Sequence, residues 1–202
     1  MDYADPFNVI EVIGVLTGLA CVWLAVRQSV WTWPITIVSA SLFLVLFLES
    51  RLYANVGLQC FFIALAIYGW YEWIRGGDEG SGLLVSRLTG KTALVLLSIV
   101  IAGTVILAII LDSSTDAAEP LLDSLATVMS LVAQWMLARK ILETWFVWIA
   151  ADVVFVGLFV STELYLTVAL YLVFMGMCVV GYVQWQRTLQ WHADASHDLQ
   201  SR

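Results

Sequence analysis

Gly69-Trp70-Tyr71-Glu72-Trp73-Ile74-Arg75 and, 112 positions later, Gly181-Tyr182-Val183-Gln184-Trp185-Gln186-Arg187 carry a glycine, a tryptophan and an arginine in the same register. The register extends toward the N-terminus without a gap. Moved forward by 112, residues 11 to 75 fall on 123 to 187, so that Glu11 meets Asp123, Trp23 meets Trp135, Arg27 meets Arg139, Trp33 meets Trp145 and Tyr53 meets Tyr165. Leucines and valines align between any two apolar segments, but tryptophans, tyrosines and charges are too sparse to coincide so often by accident. The chain reads as an internal duplication, which in a membrane protein points to a transporter built from structural repeats.

The membrane assignment follows from composition. Hydrophobic residues make up 61% of the chain and charged residues 12%, with a mean hydropathy of +0.91, which leaves no room for a large soluble domain. Apolar runs of about 20 residues, the length that crosses the hydrocarbon core, are expected near 7–26, 31–48, 52–74, 92–111, 121–138, 144–161 and 164–186. They are continuous rather than alternating, so an all-α bundle of seven transmembrane helices is predicted and not a barrel.

Counted along seven crossings, Arg27, Arg75, Arg87, Lys91, Arg139, Lys140, Arg187 and Arg202 fall on one side and Arg51 alone on the other. The positive-inside rule then places the N-terminus outside and the C-terminus inside. The outer side holds Asp2, Asp5, Glu49, Asp112, Asp116, Glu119 and Glu163, which account for much of the net charge of -7. Met1 to Phe7 lacks the basic start of a cleaved signal peptide, so the first helix is expected to stay as an anchor. Pro6, Pro34 and Pro120 stand at expected helix starts, where a missing N–H costs nothing. Cys21, Cys60 and Cys178 lie in apolar runs and read as small core residues.

Two directly joined three-helix halves would point in opposite directions; the extra helix at 92–111 restores a common orientation. The expected arrangement is one transmembrane domain over 1–202, with a first repeat at 7–75, a linker helix at 92–111 and a second repeat at 121–187. This 3+1+3 parallel repeat is similar, by fold-level analogy, to the sugar transporters called SWEETs. The linker helix has no aromatic residue and reads as a connector facing lipid or another subunit. Gly76 to Gly90, rich in Gly and Ser, reads as a flexible crossover.

Asp152 is the one carboxylate in the middle of an expected span. Burying it costs roughly 2.5–3.5 kcal/mol on insertion scales, so something should offset that cost. Trp145, Trp148, Phe155 and Phe159 share its helical face. Two indoles and a carboxylate on one stripe suit a flat cationic ring, through stacking, cation–π contact and counter-charge. A structural carboxylate bonded to a neighbouring helix is the other reading. Matching stripes occur on the third helix (Gln59, Phe62, Ala66, Trp70, Trp73) and the seventh (Tyr171, Phe174, Cys178, Tyr182, Trp185). Gln59 and Tyr171 are candidates to hydrogen-bond a ligand amide or hydroxyl, or another helix. At the 112-residue offset Ala40 corresponds to Asp152, Val22 to Gln134 and Gly18 to Ser130, so the second half has gained polarity of the kind an asymmetric solute would require. His192 and His197 both lie in the tail, and no metal spacing or phosphate loop occurs, so neither an enzyme nor a cofactor is expected.

Leu52-Tyr53-Ala54, Leu58-Gln59 and Ile67-Tyr68-Gly69-Trp70-Tyr71-Glu72-Trp73, followed by Glu143-Thr144-Trp145-Phe146-Val147-Trp148 and Leu164-Tyr165-Leu166-Thr167, resemble the bacterial nicotinamide riboside transporter (PnuC) family from Glu11 to Arg187. The resemblance implies a homotrimer in the bacterial inner (plasma) membrane, each protomer carrying one B-vitamin-type substrate by facilitated diffusion. A cytoplasmic kinase would trap the substrate by phosphorylation; no nucleic acid partner is implied. The family's site maps onto Trp148, Asp152 and Gln59, with Asn common in many members at Asp152 and near Ser39. The expected function is alternating-access uniport of a cationic vitamin precursor, nicotinamide riboside ahead of thiamine, with neutral riboflavin gaining less from Asp152. The expected contacts are Asp152, Trp148, Gln59, Tyr171, Trp145, Trp33, Gln134, Ser39 and Trp70. Proton coupling through Asp152 and a seven-helix receptor are the alternatives.

Overall fold

The structure, a computed structural model, describes residues 6–49, 53–77, 82–114, 119–161 and 165–200. They form seven helices: α1 (Pro6–Val26), α2 (Thr32–Glu49), α3 (Tyr53–Arg75), α4 (Gly90–Ser114), α5 (Pro120–Ala138), α6 (Thr144–Ser161) and α7 (Tyr165–Gln200). Pro6 and Pro120 open α1 and α5, and Pro34 is the third residue of α2, positions without an intrahelical N–H bond to lose. Four helices are each long and apolar enough to cross a membrane, within Thr32–Glu49, Gly90–Ser113, Pro120–Ala138 and Thr167–His192; Ile13–Val26 and Thr144–Val160 are apolar but shorter.

The chain divides into two compact units, Met1–Leu83 and Leu84–Arg202. In the first, α2 packs against both α1 and α3; in the second, contacts run from α4 to α5, α5 to α6 and α6 to α7.

The turn from α1 to α2 is a Schellman motif with Gln28 at φ 54°. Its N–H donates to Ala25 O at 2.9 Å and that of Ser29 to Leu24 O at 2.9 Å. The turn from α5 to α6 is built alike. Lys140 has φ 48°, its N–H donates to Leu137 O at 3.0 Å, and that of Ile141 donates to Met136 O at 3.0 Å. Each following helix is then tied back by a threonine: Thr32 Oγ1 donates to Cys21 O at 2.9 Å and Thr144 Oγ1 to Ala133 O at 2.8 Å.

The helix pairs are wedged by tryptophan on glycine. Trp33 lies so close over Gly69 that a Cβ there would overlap its ring, and it meets Trp73 edge-on, centroids 5.2 Å apart at 90°. Trp145 lies over Gly181 in the same way and meets Trp185 at 5.3 Å and 84°. Each of these contacts recurs at an offset of 112 residues. Phe43 and Phe47 stack at 6.0 Å, and Phe155 and Phe159 at 5.9 Å.

Two features differ from the sequence expectation. The second part of the expected flexible crossover is fixed: Ser86 N–H donates to Lys140 O and accepts at its own carbonyl from Leu142 N–H, at 3.0 and 2.9 Å, in a parallel bridge to Ile141. Helix α7 continues past Arg187 to Gln200, 36 residues in all. At about 1.5 Å per residue that far exceeds a hydrocarbon core of about 30 Å, so its end lies beyond the apolar layer. α4 exposes Leu94, Val95, Leu97, Ile101, Val105 and Ile109, as a lipid-facing helix does. It closes on α5 at Gly103, where a Cβ would lie 3.1 Å from Val128 Cγ1.

Candidate functional site

Asp152 is the ninth residue of α6, at 5% exposure, beside the fully buried Ala151. Among the described residues its carboxylate makes no ion pair. It lies near enough to the Tyr171 hydroxyl and the Cys178 thiol of α7 to act on both electrostatically.

Tyr171 is the centre of an aromatic cluster beside that carboxylate. Its ring is 5.1 Å from Phe155 and 5.2 Å from Phe159, both tilted, and 5.9 Å from Phe174 edge-on. The period of the helix produces this: Phe155 and Phe159 lie three and seven residues beyond Asp152, on the face that α6 turns toward α7. A buried carboxylate next to an aromatic cluster can hold a cationic ring, the charge supplying attraction and the rings dispersion and cation–π contact. Trp148, one turn before Asp152, is half-buried. Gln134 on α5 is buried at 6% exposure, whereas Ser130 spends its hydroxyl on Ala126 O at 2.8 Å.

Trp33 and Trp145 take a different place from the one expected. At 0% and 1% exposure they fill the wedges on Gly69 and Gly181, so neither ring is free to stack on a ligand in this arrangement. Both indole Nε1 atoms are buried without a hydrogen-bond partner. In the first unit Ser39 Oγ lies 3.2 Å from Thr17 Oγ1, Gln59 is half-buried and Trp70 is 39% exposed. Thr36, where the second unit has Trp148, bonds its own helix at Thr32 O, 2.8 Å away. The structure therefore gathers Asp152, Tyr171, Phe155, Phe159, Phe174 and Cys178 on α6 and α7. Sequence reasoning saw Phe155, Phe159, Phe174 and Cys178 as members of stripes without assigning them to the site. The signal was present, since two stripes on helices joined by a short loop must face each other somewhere.

Comparison with known proteins agrees with this architecture. Residues 8–187 match the family described as nicotinamide mononucleotide transporter. The riboflavin/roseoflavin transporter RibM of Streptomyces davaonensis is 29% identical over 180 residues, covering 87% of this chain and 83% of that protein. The nicotinamide riboside transporter PnuC of Escherichia coli is 26% identical over 201 residues, covering 87% and 84%. The crystal structure of the vitamin B3 transporter PnuC superposes with a TM-score of 0.73 at 20% identity, covering 93% of this chain and 85% of that one.

Proposed function

The chain belongs to the nicotinamide mononucleotide transporter family, and from that premise we propose that it carries a cationic vitamin precursor, nicotinamide riboside first, by alternating-access uniport. It is a multi-pass transporter of the bacterial inner membrane, not an enzyme, and its relatives carry vitamins or their precursors. The observation that carries the finer reading is Asp152, buried beside the Tyr171 cluster and without an ion pair among the described residues. A charge left in that position is unfavourable until a cation arrives, so a pyridinium would be bound by its charge and ring together. Trp148 is the proposed stacking partner, with Tyr171 and Gln134 as hydrogen-bonding groups. The resemblance adds Gln59, Ser39 and Trp70 of the first unit. Thiamine, with its thiazolium, fits the same chemistry.

The proposed architecture is two parallel three-helix repeats joined by α4, with seven crossings and the N-terminus outside. In support are the paired turns, threonine ties and tryptophan wedges at one offset, and the clustering of cations on alternate loops. Trapping by a cytoplasmic kinase and a homotrimeric assembly follow from the resemblance alone.

The test is uptake into cells or proteoliposomes. Asp152→Ala is expected to abolish saturable uptake of nicotinamide riboside while the protein stays folded in the membrane; unchanged affinity for every cationic vitamin would sink the counter-charge reading. Two observations favour a second reading each. The similarity to RibM makes riboflavin the competing substrate, and it would be taken up equally by Asp152→Asn. The buried carboxylate also suits proton coupling, which an imposed proton gradient would reveal in the wild type and not in Asp152→Asn.

A further inference from the structure

The segment before α4 grips the α5–α6 loop through more than the bridge at Ser86. Leu88 N–H donates to Glu143 Oε2 at 2.7 Å, and Arg87 Nη1 lies 3.9 Å from Glu143 Oε1. Arg87 is 58% exposed, so the ion pair adds little; the bond from a backbone N–H to a charged carboxylate is the stronger contact. Val85 is buried. Leu88, Leu96 and Val100 pack on a core of Val132, Met136 and Ile141, and Gly103 closes on Val128. The seam therefore runs without a break from the strap at 85–88 to the middle of α4. Glu143 directly precedes α6, which carries Trp148 and Asp152.

The first unit has nothing comparable among its described residues. Trp31 stands at the position matching Glu143 and is 69% exposed; an indole has no acceptor for a backbone N–H. The division between the two compact units falls at Leu83/Leu84, directly ahead of the strap.

We infer that Glu143 is a positioning residue that fastens α4 to the α5–α6 loop, so that α4 and α5–α7 travel as one four-helix body during transport. This rests on the transport reading above. It makes the contacts between α4 and α5 ones that transport leaves intact. It also gives Glu143 a part in the affinity of the site, because the carboxylate holds the start of the helix that presents Asp152.

A Ser86→Cys/Ile141→Cys pair tests the fastening. The oxidised, cross-linked protein is expected to transport nicotinamide riboside within about twofold of its reduced form; the unmodified chain, given the same oxidant, is the control. Flux that stops on cross-linking and returns on reduction would overturn the inference. If the strap pair does not fold, Gly103→Cys/Val128→Cys puts the same question at mid-helix. For the positioning role, Glu143→Ala should raise Kd about tenfold and Glu143→Gln, whose amide oxygen still accepts the Leu88 N–H, should recover most of it; equal Kd in all three proteins contradicts it. No flux and no binding in the unmodified chain would instead sink the transport reading, and this inference with it.

Discussion

Asp152 and Lys140 are both buried charges, and they meet the cost in different ways. Asp152 is buried near the middle of α6 beside the Tyr171 cluster, with no ion pair among the described residues, so that a ligand cation or a proton would relieve it. Lys140 sits in the α5–α6 loop at 9% exposure, and burial pushes its ammonium from the ordinary 10.5 down to about 8. Between those values the unfolded chain binds the proton and the folded one does not, so stability rises with pH from about 8 to 10.5. Thermal unfolding in detergent across that window should show a rising midpoint, and Lys140→Met should remove the part of the rise due to this residue. A Lys140→Met profile identical to wild type would contradict the assignment.

At the scale of elements, the residues that recur in both halves and those that differ do different work. Trp33 with Trp145, Gly69 with Gly181 and Trp73 with Trp185 form the wedges between helices. Asp152, Trp148 and Tyr171, which replace Ala40, Thr36 and Gln59, line the candidate site or lie beside it. The sequence names Trp33 and Trp145 as expected ligand contacts and does not show the wedges, because a tryptophan's chemistry is the same on either face of a helix. Only the packing shows which face it takes. The wedge makes a prediction. Gly69→Ala and Gly181→Ala must displace an indole and should each cost about 1–3 kcal/mol. Gly157→Ala and Gly176→Ala meet nothing within 4 Å and should leave the melting temperature unchanged or higher. Equal effects at all four positions would show that the wedges do not hold the helix pairs.

The helices themselves were legible because an apolar run of spanning length has few other structures open to it; the run expected at 144–161 is α6 to the residue. The strap and the far end of α7 were not. Ser86 bonds through its backbone alone, which side-chain identity does not encode. Arg187 to Gln200 is polar, so the hydropathy that marked the rest of α7 is silent there. The Asp152 position was legible from its charge; the ring cluster around Tyr171 needed the register of α6 against α7.

For the molecule as a whole, the sidedness proposed from the cations can be checked directly. A cysteine at Asp112, beyond the apolar body of α4, should react with a membrane-impermeant maleimide added outside intact cells, and one at Lys91 should react only after lysis; the reverse pattern would invert the topology. The central claim is that a buried carboxylate selects a cationic vitamin. Calorimetric binding of nicotinamide riboside, thiamine and riboflavin to purified wild type and Asp152→Asn tests it most directly. Nicotinamide riboside should bind wild type best and lose at least about tenfold in affinity with Asp152→Asn, while riboflavin changes little. Equal affinity of both proteins for every cationic vitamin, or tight riboflavin binding with none of the cations, would contradict it.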